Sequence, residues 1–145
     1  MLTGIAALRI EAYPDTALGG VMRLMKKVVG TKGPFPYSPG ILAGNFLFVS
    51  GQVGIDPRTL EVPEEIEEQT KNCLERVKNV VEQAGGTMKH VVRTTVYLSN
   101  PKDFLRMNEA YAEFFPEEPP ARTTIIAKTP APEYLIEIDA VALIE

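Results

Sequence analysis

The stretch Phe46-Leu47-Phe48-Val49-Ser50 places the tightest limit on the fold. Alternate residues of a strand point to opposite sides of its sheet, and in this strand both sides are apolar. Such a strand belongs in a sheet covered on both faces. Ile41-Leu42 precedes it across the turn signal Ala43-Gly44-Asn45, which predicts a hairpin. Gly51-Gln52 ends the run. A glycine there fits two readings, a bulge or a close approach of backbone to a ligand. Upstream, Val28 to Gly40 holds Gly30, Gly33, Pro34, Pro36 and Pro39 and reads as a loop, with Tyr37 and Ser38 extended before Pro39.

After a turn at Asp56-Pro57-Arg58-Thr59, Pro63-Glu64-Glu65 opens a helix with proline and acids at its positive end. Ile66, Thr70, Cys73, Leu74, Val77, Val80, Val81 and Ala84 keep the helical period, and Gly85-Gly86 stops it. His90 to Ser99 is a strand, with Val92, Thr94, Val96 and Leu98 on one face and Val91, Arg93, Thr95 and Tyr97 on the other. Asn100 caps a second helix, with Pro101 at its first position and Phe104, Met107, Asn108, Tyr111 and Phe115 on its inner stripe. Pro119-Pro120 then sets the direction of the strand Arg122 to Lys128, and a final strand runs from Tyr134 to Ile144.

This order of hairpin, helix, strand, helix and two strands gives an α+β domain: one mixed sheet with two helices on one face. Two helices leave the second sheet face bare, and a further copy of the same chain is the simplest cover. At 145 residues the chain fits one domain, read as residues 25–145 behind an extension over 1–24. Arg9 and Glu11 interrupt the mildly apolar Leu2 to Leu8, so a secretory signal is not expected. No apolar run approaches ~18 residues, which argues against a membrane span. A net charge of −4 disfavours a nucleic-acid surface. One Cys and one His leave neither a disulfide framework nor a Cys/His metal cluster. The reading is a cytoplasmic chain, with an organellar location left open, and no metal.

Two charged residues stand out. Arg122 sits at the mouth of a strand, where a planar guanidinium fork suits a carboxylate ligand; an ordinary surface ion pair is the alternative. Glu137 shares a strand face with Leu135, Asp139, Val141 and Leu143. A carboxylate so placed pairs with a cation, takes hydrogen bonds or has a raised pKa. If the last two strands are neighbours, Arg122 is its nearest partner. Asn108 is either a structural amide tying backbone segments or a polar group aimed into a pocket. Cys73 lies on an apolar stripe and reads as core, and His90 has no triad partner nearby in sequence.

From about Pro34 to Glu145 the chain resembles the reactive-intermediate deaminase (Rid) family, also called YjgF-like or L-PSP endoribonuclease proteins. The matching pieces are Pro36-Tyr37-Ser38, Gly44-Asn45, Phe48-Val49-Ser50-Gly51-Gln52, Gln69-Thr70, Val92-Arg93-Thr94-Thr95-Val96, Asn108-Glu109-Ala110-Tyr111, Pro120-Ala121-Arg122 and Ile136-Glu137-Ile138. The resemblance implies a chorismate-mutase-like, six-stranded fold and a homotrimer with active sites between subunits. It also implies that Arg122 binds the substrate carboxylate and Glu137 orients a water. Tyr37, Gly51, Asn108 and the backbone at Thr124 would complete the pocket. Pro39 and Thr123 depart from the family pattern, and residues 1–24 have no counterpart in it.

The activity implied is that of the imine deaminase branch: hydrolysis of a reactive 2-imino or enamine acid, of the 2-aminoacrylate/2-iminopropanoate type, to a 2-keto acid and ammonia. No organic cofactor or metal is implied. Two rivals stand beside it. One is an endoribonuclease or translation inhibitor, for which the acidic chain offers poor phosphate contacts. The other is a non-catalytic trimer that binds a carboxylate metabolite.

Overall fold

The computed structural model describes residues 26–145, so the extension expected over residues 1–24 lies outside the described residues. The apolar stripe beginning at Ile66 becomes helix α1, Ile66–Gln83, and Ile66, Thr70, Cys73, Leu74, Val77, Val80 and Val81 are all buried. Gly85, with a φ of 90°, ends it. The Gly85 N–H donates to the Glu82 carbonyl and that of Gly86 to Val81, each at 3.0 Å, the paired bonds of a Schellman stop. Helix α2 spans Phe104–Ala112, after a single 3-10 turn at Pro101–Asp103. The Asn100 cap forms as its sequence predicts, its side chain accepting from the Lys102 N–H at 3.0 Å.

Six strands form one mixed sheet: β1 Lys26–Val29, β2 Gly40–Ala43, β3 Phe46–Val53, β4 Val91–Leu98, β5 Ala121–Ile126 and β6 Ile136–Leu143, in the order β1-β2-β3-β6-β4-β5. β4 and β5 run parallel and the other neighbours antiparallel. Both helices lie on one face. The core packs there, with Leu47, Leu74, Val77, Val96, Leu98, Met107, Ile136 and Ile138 fully buried.

Several sequence expectations are corrected. Val28 and Val29 belong to a strand rather than a loop, since a partner strand β2 supplies hydrogen bonds that local composition does not reveal. β3 does not end at Gly51 but continues to Val53 through a register shift between Val49 and Gln52. β4 carries a second irregularity between Val91 and Arg93, which buries Val91 on the helix face and leaves Val92 exposed. The simple alternation expected there assigned both to the wrong side. The last two strands are not neighbours, because β4 lies between β5 and β6.

The second face is apolar and bare in the single chain. Val28, Phe46, Phe48, Ile125 and Leu143 are 42–50% exposed. Val28 pairs with Ile41 and Ile41 with Phe48, so the patch runs continuously across strands. Large contiguous apolar patches of this kind mark contact surfaces.

Candidate active site

Sheet register separates the two charged candidates. Arg122 pairs with Thr94, and Thr94 with Ala140, both buried on the helix face. Cross-strand partners share a face, so Arg122 points to the helix side. Glu137 pairs with Tyr97 and Val53 and points to the open face. Two strand spacings and three residues along β6 put their backbones on the order of 14 Å apart. Within one chain, Arg122 is therefore not the partner of Glu137, contrary to the expectation from adjacent strands.

Arg122 is held from three sides. Its Nη2 donates to Asn108 Oδ1 at 2.7 Å. Its guanidinium carbon lies 4.7 Å from the Tyr111 ring centroid and 5.9 Å from that of Phe104. Tyr111 is itself fixed by a buried 2.7 Å hydrogen bond between its hydroxyl and Thr94 Oγ1. No carboxylate among the described residues forms an ion pair with Arg122. Asn108 bonds to this side chain rather than to backbone. Together with Tyr111, Phe115, Pro119 and Pro120 the pair lines a recess of about 340 Å³. Cation–π contact and a single amide acceptor hold the fork while leaving most of its donors for a ligand.

The second recess, about 600 Å³, lies beside the β3 irregularity and includes Tyr37, Gly51, Glu137, Arg76, Phe35 and Tyr134. Gly51 serves close packing: a Cβ there would stand 2.0 Å from Glu137 Oε1. Of the two readings of this glycine the bulge is found, in the register shift between Val49 and Gln52, and the backbone wall at Gly51 packs against the Glu137 side chain. Ser50 pins the Tyr37 loop, its Oγ donating to the Ser38 carbonyl at 2.6 Å and its N–H to that of Pro39 at 2.9 Å. Phe35 and Tyr37 stack with 6.2 Å between ring centroids.

No hydrogen bond or ion pair among the described residues holds the Glu137 carboxylate. Its pKa is raised, first because burial penalises the charged form and then because Asp139 adds like charge. Asp139 accepts a 3.3 Å hydrogen bond from the Tyr97 hydroxyl.

Of the residues anticipated from sequence, Tyr37, Gly51 and Glu137 converge on one recess and Asn108 and Arg122 on the other. Thr124 lies two residues beyond Arg122 on the same strand face, half-buried, and borders neither. Sequence reading missed Tyr111 as a support for Arg122, although its i, i+3 spacing from Asn108 was visible. It also missed Arg76, a helix residue with no local signal. Cys73 is fully buried and its thiol pKa is driven up by desolvation. The Nδ1 of His90 accepts from the Thr87 N–H at 2.9 Å in a local capping turn, away from both recesses. Among the described residues, no group of three or more His, Cys, Asp or Glu could hold a metal ion. No helix among them is long and apolar enough to cross a membrane.

A mixed six-stranded sheet with helices on one face, one recess beside Arg122 and another beside Glu137 defines a class that comparison with known proteins makes specific. The family model described as Endoribonuclease L-PSP matches residues 31–144. The chain belongs to this family, the Rid/YjgF group. A RutC family protein of Pyrococcus horikoshii is 45% identical over 123 residues, covering 81% of this chain and 98% of the relative. The crystal structure of a Thermotoga maritima protein provisionally labelled an endoribonuclease superposes with a TM-score of 0.77 at 40% identity, covering 83% of this chain and 99% of that one. Escherichia coli TdcF, crystallised with bound serine, gives 0.77 at 29% identity, covering 82% and 99%.

Proposed function

We propose that this chain is a hydrolytic deaminase of 2-imino and enamine acids, working as a homotrimer. Arg122 of one copy faces Glu137, Tyr37 and Gly51 of the next. The observation that carries this reading is the division of one chain's chemistry between two sheet faces. Among the described residues, an oriented cation without a carboxylate lies at the β5 edge, an acid without a donor lies on the open face, and that face is an uncovered apolar sheet. A neighbouring copy laid on the open face brings the halves together and covers the patch. The serine bound to TdcF supports a ligand of amino-acid type for the family site.

In this site Arg122 takes the substrate carboxylate through its free donors and fixes the C=N carbon. The backbone at Thr124 helps hold the same carboxylate. Glu137 accepts a proton from water as the water oxygen bonds to that carbon, and the imine nitrogen takes up a proton to give a carbinolamine. Glu137 then returns its proton to the amine, the C–N bond breaks as the carbinolamine hydroxyl releases its proton to solvent, offsetting the one the imine nitrogen took up, and a 2-keto acid and ammonia leave. The sum is imino acid plus water, with no change in oxidation state. A raised pKa suits Glu137 to this exchange, because a stronger base near the working pH transfers protons in both directions. The RNA-cleaving name carried by relatives finds little support here, since Arg76 and Arg122 are the only basic side chains on the two recess walls among the described residues.

The test is release of ammonia or keto acid from iminopropanoate generated in situ by an amino-acid oxidase. The protein accelerates release, and Arg122→Ala lowers that acceleration by roughly 10²–10⁴-fold. Full rate in a folded Arg122→Ala trimer would remove Arg122 from the reaction.

A further inference from the structure

The Glu137 recess contains a group that the reaction above does not use. Arg76 projects from α1 onto its wall and is the one Lys or Arg there among the described residues. Its Nε donates to Gln52 Oε1 at 3.1 Å, and Gln52 Nε2 donates to the Ser50 carbonyl at 2.9 Å. Gln52 is buried, so the guanidinium is anchored through a side chain that cannot swing freely. Neither outer nitrogen of Arg76 has a hydrogen bond or a carboxylate among the described residues. Its helix neighbours differ: Lys71 lies 3.6 Å from Glu113 and Lys78 lies 4.0 Å from Glu82. A half-buried, oriented guanidinium with its fork unspent is arranged for an anion.

The size of the recess points the same way. About 600 Å³ belongs to the range of sites that take ligands much larger than a three-carbon acid. The wall that carries Glu137 and Arg76 also includes Phe35, Tyr37 and Tyr134, which suits a short methylene chain.

We propose that Arg76 is a specificity residue forming a second anion subsite, and that this chain prefers dicarboxylic 2-imino acids, whose side-chain carboxylate it binds. This rests on the deaminase reading for turnover, but the subsite itself can be read by binding alone. The α-carboxylate then goes to Arg122 of the neighbouring copy and the terminal carboxylate to Arg76, which keeps the second negative charge away from Glu137.

The experiment compares 2-oxoglutarate with 2-oxobutanoate, two keto acids differing in a terminal carboxylate, by titration calorimetry on the full chain. Kinetics with the imines formed by oxidase from glutamate and from 2-aminobutanoate run in parallel. The dicarboxylate is expected to bind on the order of 10- to 100-fold tighter, the range of a charge-assisted pair. Arg76→Gln should bring the ratio near one, chiefly through KM. Arg76→Lys, which keeps the charge without the fork, should retain part of it and serves as the variant if Arg76→Gln fails to fold. Equal affinity in the unaltered protein, or a preference that survives both variants, overturns the subsite. Preferential binding without turnover of either imine keeps the subsite and overturns the deaminase reading.

Discussion

Arg122 and Glu137 are handled in opposite ways by the same fold. Arg122 sits on the covered face, fixed by Asn108, Tyr111 and Phe104, with Thr94 holding Tyr111 from below. Glu137 sits on the bare face, pressed against Gly51 with no donor among the described residues and with Asp139 adding like charge. A cation needs orientation to bind, so its partners are built in. A base needs proton affinity, and here that comes first from burial and then from the like charge of Asp139. Each half is incomplete where the other is complete, which is what a site shared between copies requires.

The largest effect comes from separating the halves. Arg122→Ala and Glu137→Gln should each lose roughly 10²–10⁴-fold in turnover. Mixed after unfolding and refolding, they should recover about a quarter of the unmutated activity, because random assortment in a cyclic trimer restores one site in four. No recovery, with mixed trimers demonstrated, would mean that both residues act from one chain.

Gly51→Ala comes next. The new Cβ would meet the Glu137 carboxylate, which must turn away, so turnover should fall toward the Glu137→Gln level while thermal stability changes little. Unchanged turnover would detach Glu137 from its observed position. On the other face, Thr94→Val strands the Tyr111 hydroxyl in the core. We expect a loss of about 1–3 kcal/mol in denaturant unfolding, with weaker substrate affinity as the ring beneath Arg122 loosens.

The smallest effect is in pH dependence. Glu137 has a raised pKa, so a rate that needs it ionised climbs with pH through a limb lying above the ordinary value of 4.5. For stability the sign is opposite. The folded protein holds this proton more tightly than the unfolded chain, so the contribution of Glu137 to stability declines as pH rises through the same window. Asp139→Asn removes the secondary cause of the shift, and the limb should move to lower pH by less than the whole displacement, because burial remains. An unmoved limb would assign it to another group.

Elements whose pattern is local were legible in the chain before any fold was known. The stripe from Ile66 to Val81, the Asn100 cap, the Gly85-Gly86 stop and the hairpin at Gly44 rest on periodicities and backbone preferences spanning a few residues, and all are found in the structure. The bare apolar face was legible too, because counting two helices against strands apolar on both sides is arithmetic on the chain. Strand order was not legible. Only the insertion of β4 between β5 and β6 placed Arg122 and Glu137 far apart on opposite faces, and hydrogen bonding between strands distant in sequence leaves no local trace. The irregularities in β3 and β4 likewise depend on partners, and each shifts which side a residue faces. Arg76 became a candidate only when packing laid α1 beside Gln52, since an arginine on a helix looks the same in sequence whether it faces solvent or a recess.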